Sequence, residues 1–333
     1  MNCEAGPSSN LPSRLLKPKG RLLAVLMVLT ATGTATGAAL WAGVSAWWRT
    51  PSGRTALLPL ALALAGPPEV VMAEAHADAH GASGHHSATT GDADAGSAVP
   101  NTDAFACLLK KYVDDDGFVD YHSLSQDAES LKGLNEYISA LASVDLKSLD
   151  RDQSLATMIN AYNAFTLRLI HEYILSEGDL DSIYDIPEAK RWKAERWVLD
   201  GKKVSLDRLE HEWIRPNFRE PRVHWALVCA AYSCPRLLNE PFVGERLEEQ
   251  LNLQAAYVHQ DRRYFYFQGD VLYITELYRW FKGDFDQVDG SPLKHAARYS
   301  PRLAQMLAQG RQPEVRYIPY SWALNSQRKR DNP

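Results

Sequence analysis

The chain has 333 residues, a formal charge of −5 from 36 basic and 41 acidic side chains, and 45% hydrophobic residues. Acidic and basic residues interleave through the C-terminal two thirds, which excludes the electrostatic footprint of a nucleic-acid binder. Length alone allows two average domains, but the N-terminal segment is not globular in composition. What is left is one domain of about 220 residues, a size that folds without disulfides or metal, and no cofactor is expected.

Residues 1–21 form a basic leader containing Arg14, Lys17, Lys19 and Arg21. The uncharged run Leu22 to Trp48 that follows is long enough to span a bilayer, with the basic side predicted to stay in the cytoplasm. A second pattern overlaps this one. Arg49 and Arg54 precede apolar Leu57 to Ala65, and Ala73-Glu74-Ala75 resembles a signal-peptidase site, as it would if translation began downstream, for example at Met27. Residues 22–75 are therefore read as an anchor, a signal sequence or both. Either reading makes the membrane a partner and places the rest outside the cytoplasm, in a periplasmic or equivalent compartment of a bacterial-type cell.

Residues 76–101 are Ala, Gly, Ser, Asp and His with almost no large apolar side chain, the composition of a flexible linker. Its histidines, His76, His80, His85 and His86, lack a structured companion ligand, so no metal site is assigned. The globular domain is placed at 102–325, with a tail at 326–333.

Phe105 to Val113 has helical spacing, ended by Asp114-Asp115-Asp116-Gly117 before the short extended segment Phe118 to Tyr121. The acidic triplet lacks the later ligands of a calcium loop and reads as a solvated turn. Leu131 to Ser143 and Arg151 to Leu175 read as helices packing on one core. Asp200-Gly201, between Trp197-Val198-Leu199 and Lys203-Val204, predicts a hairpin, and Ser205 is an N-cap for a following helix.

Arg222 to Ala230 follows Pro221 and is nearly continuous in apolar character, so it is read as a buried central strand. Phe242 to Val258 is helical, Tyr264 to Ile274 forms two strands around Gly269-Asp270, Tyr278 to Phe281 begins a helical piece, and Leu293 to Leu307 is a last helix. Without regular alternation of strand and helix, the fold class is α+β: a single domain with a small central mixed or antiparallel sheet packed by several helices.

Chemistry concentrates between Glu210 and Cys234. Cys3 precedes the apolar segment; of the other cysteines, Cys107, Cys229 and Cys234, an odd number implies at least one thiol not bridged within the chain. His224, Cys229 and Cys234 supply the residue types of an activated thiol, although strand parity would turn His224 and Cys229 to opposite faces. Asn163 could orient the imidazole, while Asn160, Glu210 and Arg222 could contact substrate. The alternatives are that the amides tie the helix to a loop, that Glu210, Arg215, Arg219 and Arg222 form an ion-pair network, and that the cysteines are structural or bridged. A zinc site built on scattered His and a Cys-x4-Cys pair is weak.

Ile159-Asn160-Ala161-Tyr162-Asn163-Ala164, Val204-Ser205-Leu206 with Leu209-Glu210-His211, Arg222-Val223-His224, Ala226 to Ala230 with Cys234-Pro235, and Ser321-Trp322 with Leu324-Asn325 together resemble the domain of unknown function 547 family. The resemblance runs from near Phe118 to Asn325 and implies a family of bacteria and plants, with no activity carried by it. Ala231-Tyr232 stands where Ser and small residues are commoner in that family.

Two functions follow as expectations. One is an exported Cys/His-dependent acyl transferase or hydrolase acting on a peptide-like or envelope substrate. The other is a non-catalytic envelope binding or scaffold domain, with an unknown small-molecule, peptide or envelope ligand, in which the cysteines are structural. The helix bearing Asn163 and the later His segment also resemble the layout of transglutaminase and papain-like folds, but with Asn where a nucleophile would stand.

Overall fold

The computed structural model describes residues 99–330 apart from 179. The expected leader, anchor or signal and most of the linker lie outside the described residues, as does the end of the tail. Among the described residues no helix is long and apolar enough to cross a membrane.

Four helices open the domain: α1 (Asp103–Tyr112), α2 (Tyr121–Gln126), α3 (Ala128–Ser143) and α4 (Arg151–Glu177). Between α1 and α2, Asp114 Oδ1 accepts from the amides of Asp116 and Phe118, so the acidic triplet is the turn its composition predicts. Asp150 closes a capping box with Gln153 at the start of α4. Helix α4 is the axis of the domain: every residue from Leu155 to Leu167 is buried, whichever side of the helix it is on. Such a helix has no solvent face, and its polar residues must find partners in the protein.

The hairpin is present as β1 (Trp197–Leu199) and β2 (Lys202–Val204). Asp200 and Gly201 both have positive φ, 54° and 68°, the requirement of a tight two-residue turn. Ser205 Oγ accepts from Arg208 N to cap α5 (Leu206–Arg208). This runs on through a π-helical stretch, Leu209–Ile214, into α6 (Arg215–Phe218).

The expected central strand is absent. Pro221–Trp225 is a 3-10 helix started by Glu220, whose side chain accepts from Arg222 N, and residues 226–243 follow as irregular but largely buried chain. A continuous apolar run reports burial and cannot by itself choose between strand, helix and buried coil. Proline at the first position and an acceptor just before it are helix-start signals, and they prevail.

Beyond α7 (Leu247–Val258), β3 (Phe265–Gln268) and β4 (Val271–Thr275) pair antiparallel around Gly269-Asp270. Next come α8 (Leu277–Trp280), α9 (Lys282–Asp289), α10 (Pro292–Ala297), α11 (Pro301–Ala308) and β5 (Glu314–Ile318), which lies parallel to β4. The expected single helix from 293 to 307 is two, because Ser300 caps a new helix with Pro301 in its first turn. The fold is α+β, but its sheets are a two-stranded hairpin and a peripheral three-stranded mixed sheet, with the helix α4 in the middle.

Two hydrophobic cores result. The larger gathers α1 to α4 and the hairpin; the smaller gathers Trp225, α7, the mixed sheet and α8 to α11. Segment 221–231 is the seam, since Trp225 packs in the smaller core while Val223 and Ala226 to Val228 pack in the larger.

Gly117 carries a local constraint on this architecture. Its φ is +82°, and an added Cβ would sit 2.4 Å from Arg236 Cβ. Gly117→Ala is expected to destabilise the fold by at least ~2 kcal/mol, through the left-handed backbone and the clash together. Urea unfolding of the two proteins measures this, and an unchanged midpoint would show that the approach of the turn to 236–237 is relaxed in solution.

Candidate functional site

The seam opens into a cleft of about 230 Å³. One wall is aromatic: Tyr320 packs on Trp322 and Trp280 at centroid distances of 4.5 and 4.8 Å, and Trp192 meets Trp322 at 5.8 Å. The C-terminal strand-like segment supplies half of that wall because it pairs with the loop after Cys229. Tyr232 N donates to Ala323 O, Ser233 N to Ser321 O, and Asn325 N to Ala230 O.

Cys229 and Cys234 form the sulfur-bearing part of the cleft, and both are free thiols. Ala230 adopts φ 65°, an uncommon conformation for a residue with a side chain, and the turn closed by Cys234 N donating to Ala231 O brings the chain back. The two sulfurs end 3.0 Å apart, far longer than the ~2.05 Å of a disulfide. Cys229 N also donates to Cys234 Sγ, and the Tyr320 hydroxyl lies 3.5 Å from Cys229 Sγ. Hydrogen bonding to Cys234 lowers the Cys229 thiol to about 7 against the penalty of burial. Burial and the neighbouring sulfur push Cys234 up. The pair thus holds one proton near neutrality, with the charge on half-buried Cys229.

Glu210 and His211 come from the π-helical stretch, whose wider turn sets successive side chains toward the cleft. Burial raises the Glu210 carboxyl to about 7, opposed by the charge of Arg215 and reinforced by that of Cys229; its hydrogen bond with Tyr162 lowers it slightly. His211 Nδ1 lies 2.8 Å from an Arg215 guanidinium nitrogen, and burial followed by that charge depresses its pKa.

His224 lines the same cleft but is not paired with a thiol. Its ring stacks on Phe281 at 3.9 Å, and Nε2 lies 2.7 Å from Asp284 Oδ2. Asp284 in turn accepts two bonds from Arg215, at 2.7 and 3.0 Å. Burial lowers the His224 pKa, with Asp284 opposing; burial would raise Asp284, but the bonds from His224 and Arg215 hold it well below the usual carboxylate range. Nδ1 of His224 has no hydrogen-bond partner among the described residues.

Three sequence-derived site residues do other work. Asn163 does not orient the imidazole: its Nδ2 donates to Ala226 O and its Oδ1 accepts from Val228 N, both at 3.0 Å. Asn160 does not reach the cleft: it makes the same pair of bonds with Phe242, at 2.7 and 2.8 Å. Arg222 is not available to a substrate either, being held by bidentate bonds to Glu220 and Glu248 and by Asn252. The tie of helix to loop describes the two amides; Arg222 sits in an ion pair, but with Glu220 and Glu248 and not in the expected network with Glu210, Arg215 and Arg219, Arg215 being paired with Asp284. Sequence reasoning missed Asp284, Tyr162, Tyr320 and the tryptophans. The Tyr320-Ser321-Trp322 run was a signal for the wall; Asp284, on the helix that continues from the expected piece at 278–281, gave none.

Fold and site together define an α+β domain with a thiol-bearing cleft at the junction of its two cores. Residues 146–257 match the family model described as protein of unknown function, DUF547, so the resemblance read from the motifs is shown over that stretch. It includes Tyr162, Glu210, His224 and both cleft cysteines, while Asp284 and the C-terminal wall lie beyond it. No curated protein and no solved structure matches the chain.

Asn163→Ala leaves a buried amide and a buried carbonyl unpaired, and is expected to cost ~2–4 kcal/mol. Denaturant unfolding checks this; a loss under ~1 kcal/mol would mean that the 226–228 backbone finds other partners. For Glu210 the folded chain binds the proton more tightly than the unfolded chain. Its contribution is therefore fully present below about pH 4.5 and is lost as pH rises through about 7. The stability difference between wild type and Glu210→Gln should shift by ~2 kcal/mol in favour of the variant between pH 4.5 and 8. A difference independent of pH would contradict the raised carboxyl.

Proposed function

We propose that this is an exported thiol-dependent acyl transferase or hydrolase, held at the extracytoplasmic face of a membrane by its N-terminal segment and acting on a peptide-like or envelope substrate. The observation that carries the catalytic part is Cys229: a half-buried thiol with the Cys234 sulfur 3.0 Å away, in a cleft that also holds a carboxyl titrating near neutrality. The thiolate attacks the acyl carbonyl and a carbon–sulfur bond forms. As the bond to the leaving amine or alcohol breaks, the protonated Glu210 carboxyl gives up its proton to it. Water, or an acceptor hydroxyl or amine, then attacks the thioester, Glu210 takes its proton, and the thiolate departs. In this scheme His224, fixed through Nε2 by Asp284, contributes from the cleft wall through Nδ1. The export and membrane parts rest on the basic leader and the apolar run that follows it.

The non-catalytic binding domain is the second reading, favoured by one observation: the His224 ring nitrogen that is bonded goes to a carboxylate and not to a cysteine.

Two measurements test the proposal. Iodoacetamide labelling, followed by mass spectrometry at each cysteine, should show Cys229 reacting with an apparent pKa near 7 and Cys234 slowly; Cys234→Ala should move Cys229 back toward its ordinary 9.0. Incubation with 4-nitrophenyl esters and peptide thioesters should place an acyl group on Cys229 that Cys229→Ala abolishes. Slow labelling of both thiols together with no acyl adduct would leave the binding-domain reading standing instead.

A further inference from the structure

The acyl-transfer scheme uses one thiol, yet the cleft presents two. Acyl transfer uses Cys234 only as the neighbour that lowers the Cys229 thiol and assigns it no bond-making step, yet its sulfur lies 3.0 Å from that of Cys229, and Cys234 is itself buried among Leu227, Tyr264 and the main chain, with its carbonyl accepting from the Tyr264 hydroxyl. The sulfurs are already within reach of each other, so a bridge between them requires closing about 1 Å relative to disulfide length, with no element to unfold.

We infer that Cys229 and Cys234 are a redox couple in which Cys229 reduces an apolar organic hydroperoxide and Cys234 resolves the product into a disulfide.

The Cys229 thiolate attacks the terminal oxygen of the hydroperoxide, a sulfur–oxygen bond forms and the oxygen–oxygen bond breaks. Sulfur is oxidised by two electrons to the sulfenic acid, and the departing alkoxide takes the Cys234 proton to become the alcohol. The Cys234 thiolate attacks the Cys229 sulfur; the sulfur–oxygen bond breaks, and hydroxide leaves and takes a proton from solvent. The net change is one hydroperoxide and two thiols converted to one alcohol, one water and one disulfide, a single turnover that a small dithiol reductant would reset.

The aromatic wall sets the class of oxidant. Tyr320 meets Cys229 Sγ through its hydroxyl, and with Trp322 and Trp280 it forms a contiguous apolar surface. An alkyl or aryl hydroperoxide buries its carbon part there, whereas hydrogen peroxide gains nothing from it. The Tyr320 hydroxyl, 3.5 Å from the sulfur, stays protonated because burial and the adjacent sulfurs hold its pKa well up, and it can donate to the oxygen that is leaving. The inference shares the Cys229 thiol and its lowering by Cys234 with the acyl-transfer reading; neither chemistry requires the other.

The test uses the full reduced chain mixed with one equivalent of cumene hydroperoxide or of hydrogen peroxide, followed by peptide mapping. The expected result is a Cys229–Cys234 bridge, formed at least tenfold faster with cumene hydroperoxide than with hydrogen peroxide, and reversed by dithiothreitol. Cys234→Ser should stop at a Cys229 sulfenic acid that dimedone traps. Wild-type oxidation no faster than that of free cysteine, or equal rates with the two peroxides, overturns the inference and needs no variant to fold. Acyl labelling of Cys229 without bridge formation sinks the redox couple and leaves acyl transfer intact; bridge formation without acyl labelling does the reverse.

Discussion

Residues 221–243 are largely buried and none is exposed, yet beyond the short 3-10 helix they have no regular structure to pair their own main-chain groups. An unpaired buried amide or carbonyl is costly; the main chain of 321–325 pairs 230–233, and the rest of the segment relies on side chains from elsewhere to take up its hydrogen bonds. Helices α4 and α7 provide them. Asn163 holds Ala226 and Val228, and Asn160, three residues before it, holds Phe242. Gln254 donates to Trp225 O and Arg236 O, and Gln250 brackets Pro241 and Val243. Four carboxamides thus do for a buried coil what a neighbouring strand does for a sheet.

That arrangement explains why the cleft lies where it does. A strand at 222–230 would present alternate residues to opposite faces, which is the parity that separates His224 from Cys229. Coil pinned by amides has no such rule. The 3-10 turn puts His224 beside Phe281 and Asp284, the left-handed Ala230 bends the chain, and Cys229 and Cys234 come together on the same cleft. The C-terminal segment then closes over the bend, using Asn325 in the same manner: its Oδ1 accepts from the Tyr121 hydroxyl while its backbone joins Ala230 and Val119.

Most of the local structure was legible in the sequence, wherever a residue has one dominant local effect. Asp200-Gly201 turned the hairpin, Ser205 capped its helix, and Gly269-Asp270 separated β3 from β4. Legibility failed where the deciding partner is distant. The apolar content of 222–230 was read correctly as burial and wrongly as a strand, because the groups that satisfy its backbone lie about sixty residues earlier, on α4. Asn160 and Asn163 stood out as amides on an apolar helix, and their tie to loops was among the readings open. Arg222 looked like a substrate-binding candidate because Glu248, which occupies it together with Glu220, is 26 residues away. Ser300-Pro301, by contrast, was a local signal for a helix start that a continuous apolar stripe obscured.

The electrostatics of the cleft follow from which charges are neutralised within the protein and which are not. Arg215, Asp284 and His224 form one set: the guanidinium is spent on the carboxylate and on His211, and the carboxylate fixes one imidazole nitrogen. Arg222 is likewise consumed by Glu220 and Glu248. Glu210 has only the Tyr162 hydroxyl and a partner charge already engaged elsewhere, so burial dominates and the carboxyl keeps its proton toward neutrality. The same enclosure would raise both thiols; their mutual contact, helped by the Tyr320 hydroxyl and by main-chain groups of Cys229 and Ala231, lowers one of them, since the proton retained by Cys234 stabilises charge on Cys229. Two exchangeable protons, one on a carboxyl and one shared by two sulfurs, are therefore poised near neutral pH within a single aromatic-walled space.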